Sequence, residues 1–373
     1  MSGRWRRILV ACLAIAAAGI AAVLAGAMLA GALQPSVVAT IVDTSLPAEE
    51  QASLAQRGRY IAAAADCAAC HTAPDGAPWA GGVAFPLPFG VLYSTNISPD
   101  PATGIGGWTR AEFHRALRDG VAPHGRQLYP AMPYVSYRQL TEADVDALYA
   151  YLLTREPIRQ ANRDPSLPFG YVRPLLRFWN LLHLPRRGGG DDTAQPAEWN
   201  RGRYLVDALG HCGECHTPRD VTLGMIAARY LQGSVIDGME APDITPAGLA
   251  RLGFGRDALA RTLRAGSGPQ GVMNFAMYDV VHNSTRHLTE PDAAAMAGYL
   301  AGARTPLPSP VPHASDPGPD GRRVYVTMCS GCHGLDGEGV PHTAPPMRGN
   351  AELRYATAHN LLAIIIDGLC AVA

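Results

Sequence analysis

The alternation of apolar and polar positions divides the chain into one long apolar run followed by three stretches of short, punctuated helices. Ile8 to Leu33 is 26 residues without a charge, long enough to span a bilayer. Arg4, Arg6 and Arg7 precede it. A positive flank leading into an apolar segment is an export pattern, with the positive end kept inside. Residues 1–34 are therefore predicted to form one helix, either an uncleaved anchor or a signal peptide. Its length favours the anchor. Its Ala/Gly content and the cleavage-like Ala30-Gly31-Ala32 favour the signal.

Beyond a linker at 35–56, Gly58-Arg59-Tyr60-Ile61 and an alanine run predict a helix leading into Cys67. Thr109 is placed to cap a helix over 111–118 that stops at Gly120. Thr141, with Asp144 at the third position, opens an amphipathic helix to Leu153. The same order then returns. Arg201-Gly202-Arg203-Tyr204 leads into Cys212, a helix over 256–265 ends near Gly266, and Leu288-Thr289-Glu290-Pro291-Asp292 opens a closing helix to Leu300. Its proline falls in the first turn, where the missing N–H does no harm. Gly321-Arg322-Arg323-Val324-Tyr325 leads into Cys329 and begins a third copy, which reads as unfinished. These copies form an internal repeat rather than a solenoid, with units expected at 57–156, 201–304 and 321–373. Residues 73–101, and the stretch from His216 to Pro246, read as loops. The segment 157–200 reads as a linker carrying an apolar Phe178–Leu182, able to pack between units. The proline-dense 305–320 reads as a semi-rigid spacer.

Composition refines this picture in two respects. Charged residues make up 17% of the 373, and there are 40 glycines and 31 prolines. Short helices joined by long loops suit domains whose core is partly a cofactor. The net charge of −1 offers no basic surface for nucleic acid.

The chemistry lies in a phrase written three times: Cys67-Ala68-Ala69-Cys70-His71, Cys212-Gly213-Glu214-Cys215-His216 and Cys329-Ser330-Gly331-Cys332-His333. C-x-x-C-H reads as a c-type haem attachment site. The two thiols of one helical turn, Cys67/Cys70, Cys212/Cys215 or Cys329/Cys332, each form a thioether with a haem vinyl group. The adjoining His71, His216 or His333 supplies the proximal iron ligand. C-x-x-C also serves thioredoxin-like and zinc sites, but three copies each followed by histidine argue for three haems. Covalent attachment implies an exported, oxidising compartment, and Cys12 and Cys370 are left without a role in the motifs. Spacing supplies the sixth ligands. Met132 lies 61 residues after His71, and Met277 lies 61 after His216; methionine thioether opposite histidine makes an electron-transfer site. Met273 competes with Met277, while Met28 and Met296 read as core gap-fillers. In the third unit Met347, His342 and His359 are weaker candidates. Carbonyls near Pro74 and Pro218 are expected to hold the imidazole N–H groups.

Several stretches make the chain resemble the trihaem cytochrome c subunits of membrane-bound periplasmic dehydrogenases. They are Ser94–Asp100, Gly104-Ile105-Gly106-Gly107-Trp108, Leu128–Tyr134, Trp199–Gly202, and Gly210-His211-Cys212 with Thr217-Pro218-Arg219. The resemblance implies a mainly α fold of tandem class I cytochrome c domains and three covalently attached haem c groups. It implies Met132 and Met277 as axial ligands, and a catalytic partner carrying a quinone (PQQ), flavin or molybdenum cofactor. Ubiquinone or an oxidase is the implied acceptor, at the periplasmic face of the inner membrane. The family's third axial methionine has no counterpart here. On this reading the chain carries electrons and is not catalytic alone. The rival readings are a haem enzyme of the peroxidase kind and a cytochrome subunit of a terminal oxidase.

Overall fold

The computed structural model describes residue 19 and residues 47–87, 90–166, 173, 175–187, 190–302, 318–341 and 343–368. The N-terminal apolar run (residue 19 apart), Cys12, Met28, His342 and Cys370 lie outside these. Among the described residues no helix is long and apolar enough to cross a membrane.

The first element series begins with α1 (Ala48–Ala64) and α2 (Cys67–His71), followed by the hairpin β1 (Ala84–Leu87) and β2 (Gly90–Tyr93). Next come α3 (Arg110–Asp119), a two-residue pair β3 (Val121–Ala122) and β4 (Arg126–Gln127), then α4 (Tyr134–Tyr137) and α5 (Glu142–Leu153). A connecting helix α6 (Leu176–His183) leads to the second series. That series comprises α7 (Ala197–Arg203), a π-helical turn Tyr204–Leu209, α8 (Gly213–His216), the hairpin β5 (Gln232–Ile236) and β6 (Met239–Asp243), and α9 (Pro246–Leu252). It closes with α10 (Arg256–Ala265), β7 (Ser267–Gly268), β8 (Gly271–Val272), α11 (Ala276–Asn283) and α12 (Glu290–Ala301). The third has α13 (Gly318–Met328), α14 (Ser330–His333) and α15 (His359–Asp367). Among the described residues the four sheets are all two-stranded and antiparallel.

Local chemistry explains the helix ends. Thr109 and Glu112 close a full capping box at the start of α3, satisfying two donors that the first turn leaves free. Thr141, Thr245 and Thr289 each accept the N–H three residues on. α3 and α10 stop at Gly120 and Gly266, with φ of 67° and 73°, a left-handed conformation open to glycine at little cost. The π turn also has a cause. Arg57 to Cys67 is 10 residues, whereas Arg201 to Cys212 is 11. One extra residue is absorbed as a π bulge without breaking the helix.

Within each series the first helix crosses the last, α1 on α5 and α7 on α12. A glycine stands at each crossing. A Cβ on Gly58 would lie 1.8 Å from the Ala147 carbonyl oxygen, and one on Gly202 would lie 2.1 Å from that of Ala295. The two series share one continuous core that includes Ile61, Val145 and Leu148 from the first and Leu205, Val206 and Leu209 from the second.

Two stretches read as loops hold structure. β1–β2 lies within 73–101, and β5–β6 lies between His216 and Pro246, where α9 begins. Each strand has a single partner, so Pro86 in β1 and Pro242 in β6 are tolerated as edge residues. The start of the 157–200 segment is also bound to the first series. Ile158 accepts from Asn96 at 2.7 Å, Gln160 donates to Ala80 at 3.0 Å, and Asn162 accepts from the Asn96 N–H at 2.7 Å. In α6 Trp179 packs edge-on against Tyr134 and donates to the Thr222 carbonyl at 2.8 Å, so it bridges the two series.

Candidate haem sites

Each C-x-x-C-H histidine stands at the end of a short helix: His71 in α2, His216 in α8, His333 in α14. A backbone carbonyl faces Nδ1 in every case. The partners are Thr95 O at 2.7 Å, Pro242 O at 2.7 Å and Pro345 O at 2.8 Å. A carbonyl oxygen only accepts, so Nδ1 carries the proton and Nε2 presents its lone pair. Burial lowers the pKa of His71 and His216, against the opposing effect of those hydrogen bonds. The neutral imidazole that metal ligation needs is thereby favoured.

The carbonyls come from farther along the chain than Pro74 and Pro218. They lie 24 residues after His71 and 26 after His216, just beyond β2 and within β6 respectively. The hairpins return the chain to the histidine, which local sequence cannot do. A signal for this lies in the sequence: Asn96-Ile97-Ser98-Pro99 and Asp243-Ile244-Thr245-Pro246 are equivalent phrases, each directly after the accepting residue. Asn96 is buried and its amide donates to Thr103 Oγ1 and Ile158 O, while its Oδ1 accepts from Ser98 N. Asp243 Oδ1 accepts from the N–H and hydroxyl of Thr245. Both side chains fix the backbone whose carbonyl orients the ring.

The cysteines of the first two motifs lie in largely buried surroundings. Burial first, then nearby carboxylates, pushes Cys67 and Cys212 up to about 12 and Cys70 and Cys215 up to about 11. Catalytic C-x-x-C pairs are held in the opposite direction, with a depressed thiolate pKa. These thiols are therefore unlike the activated pairs of thiol exchange.

The methionine loops match in backbone. Leu128 N–H donates to Gly120 O and Met273 N–H to Gly266 O, both at 2.7 Å; Met132 and Met277 each close a turn onto the carbonyl three residues back, both at 3.1 Å. Both methionines are half-buried. Met277 lies inside α11, whereas Met132 precedes α4. Met296 is 2% exposed in the core. Met347 lies against Gly337, and His359 Nε2 contacts the Gly238 carbonyl at 2.7 Å.

The cytochrome c family profile matches residues 55–156 and 319–368. One of the nicotinate dehydrogenase subunits of Pseudomonas putida is 41% identical over 85% of this chain, which spans 28% of that protein's length. The fructose dehydrogenase cytochrome subunit of Gluconobacter japonicus is 36% identical, covering 87% of this chain and 73% of its own. The gluconate 2-dehydrogenase cytochrome c subunit of Pantoea cypripedii is 38% identical, covering 84% and 77%. The chain belongs to this family of dehydrogenase cytochrome c subunits. Membership implies covalently bound haem c, and the histidines, carbonyl acceptors and buried thiols fit that group. The fold is mainly helical, as expected of cytochrome c domains, and the relatives do not favour a peroxidase or an oxidase subunit.

Proposed function

We propose that this cytochrome c subunit takes electrons from a catalytic dehydrogenase subunit and passes them to ubiquinone or an oxidase at the periplasmic face of the inner membrane. Units at 57–156, 201–304 and 321–373 would each hold one haem c, attached through Cys67/Cys70, Cys212/Cys215 and Cys329/Cys332. His71, His216 and His333 would ligate the iron, with Met132 and Met277 as second ligands of the first two.

Haem, when bound, supplies a one-electron iron couple. The rest is the work of this chain. The cysteines fix the group covalently. Thr95, Pro242 and Pro345 hold the imidazoles in one tautomer and orientation, which sets ligand basicity. Met132 and Met277, as second ligands, would leave those irons to exchange electrons rather than bind a substrate.

The observation that carries this reading is the matched pair of methionine loops, equal in spacing and in hydrogen bonding. Met132→Ala and Met277→Ala should each abolish one methionine-to-iron charge-transfer band and open one iron to carbon monoxide. Spectra identical to wild type would remove both residues from the iron. Co-purification from detergent-solubilised membranes, with cofactor analysis, tests the dehydrogenase partner.

A further inference from the structure

The first and second series exchange one hydrogen-bonding arrangement in both directions. Tyr204 of the second donates its hydroxyl proton to Asp144 Oδ2 of the first at 2.6 Å, and its oxygen accepts the Thr141 N–H at 3.2 Å. Tyr60 of the first donates to Asp292 Oδ2 of the second, and its oxygen accepts the Thr289 N–H at 3.3 Å. Each carboxylate is also held within its own series. Arg57 Nε donates to Asp144 Oδ1 at 2.8 Å, and Arg201 donates to both oxygens of Asp292 at 2.8 and 2.6 Å. Burial opposes the charge on Asp292, but the bonds from Arg201 and Tyr60 together bring its pKa below the usual range. Burial also raises both tyrosine hydroxyls, so both stay protonated donors.

A hydroxyl offers one donor and two acceptor positions, and here it engages a charged acceptor and an N-cap N–H together. Charge-assisted bonds of this kind are directional and short. The same interface brings the attachment motifs together. α11, which carries Met277, packs against α2. Ser284 donates to Ala64 O at 3.3 Å, and Ser136 donates to Glu214 at 3.0 Å. Tyr137 donates to Ala65 O at 2.7 Å and packs edge-on against His211. Tyr60 and Tyr204 stand only seven and eight residues before Cys67 and Cys212, on the helices leading into the motifs. A rotation at either tyrosine is therefore carried to the motif beyond it.

We propose that Tyr60 and Tyr204 are positioning residues that fix the first two haem sites relative to each other for electron exchange. This rests on the haem reading of Cys67–His71 and Cys212–His216 given above. The test uses the full-length, haem-loaded chain carrying Tyr60→Phe, Tyr204→Phe or both, with Tyr149→Phe as control. Tyr149 also loses a hydrogen bond on substitution, but to Trp108 O within its own series. Amide exchange at Thr141 and Thr289 should accelerate in the double variant and stay unchanged in the control. Electron equilibration between the two haems after flash reduction should slow several-fold in the double variant and less in each single one, with His–Met spectra preserved. Equilibration at the wild-type rate with intact spectra overturns the proposal, whatever the melting temperature does. If the double variant does not fold, the single variants are judged by the same criterion. A wild-type chain lacking two covalent His–Met haems would overturn the haem reading itself, and its spectra distinguish that case.

Discussion

Gly58→Ala drives a methyl group into the crossing of α1 and α5. The added Cβ would stand 1.8 Å from Ala147 O and 2.6 Å from Tyr151 Cβ, where ordinary contact begins near 3.4 Å. The nearer obstacle is backbone, so no side-chain rotation relieves it, and the two helices must move apart by more than an ångström. Overpacking typically costs about 1–3 kcal/mol, and a backbone wedge belongs at the upper end. Alanine in place of glycine in a helix interior returns about 1 kcal/mol. The net loss is about 2 kcal/mol, or roughly 4–8 °C in melting temperature for a unit of roughly 250 residues that shares one core. Thermal unfolding of the haem-loaded chain, followed by far-UV circular dichroism and by the Soret band, reads it directly. Gly190→Ala, where an added Cβ meets nothing within 4 Å, is the control and should melt near wild type. A Gly58→Ala protein melting at or above wild type would refute the crossing geometry, since helix propensity alone predicts a gain.

Two further outcomes follow from the sites. Burial, and then Asp279, raises the Asp66 carboxyl from 3.8 to about 8, and its Oδ1 has no hydrogen-bond partner. A raised folded-state pKa contributes stability in acid that is lost as pH rises. Stability should therefore fall by up to about 1.4 kcal/mol per pH unit between the two values. Asp66→Asn should flatten that slope in denaturant titrations run across pH 4.5–7.5; an unchanged slope would mean that Asp66 ionises normally. Asn96→Ala strips the lock from the Thr95 carbonyl and leaves buried partners unsatisfied, costing about 1–3 kcal/mol. With the His71 hydrogen bond weakened, the imidazole becomes less basic and the first haem's midpoint potential should rise. Redox titration checks this, and an unmoved potential would exclude Asn96 from tuning that haem.

The sequence by itself determined whatever is local. Each of the three C-x-x-C-H phrases forms a short helix ending on its histidine, within five residues. Thr109, Thr141 and Thr289 with Gly120 and Gly266 specify helix ends, because a cap is decided within one turn. Equal spacing pointed to Met132 and Met277 as counterparts, and their loops do share one backbone pattern. The tertiary structure alone decided what depends on residues far apart. Residues 73–101 read as loop because proline and glycine depress strand propensity. Yet a two-stranded hairpin needs few ladder bonds, and here it forms and returns the Thr95 carbonyl to His71. Nothing near Tyr60 announces Asp292, which is 232 residues away. That partnership exists because two copies of one helix crossing bury their apolar faces against each other, and burial then leaves each tyrosine hydroxyl to find its acceptor on the other copy.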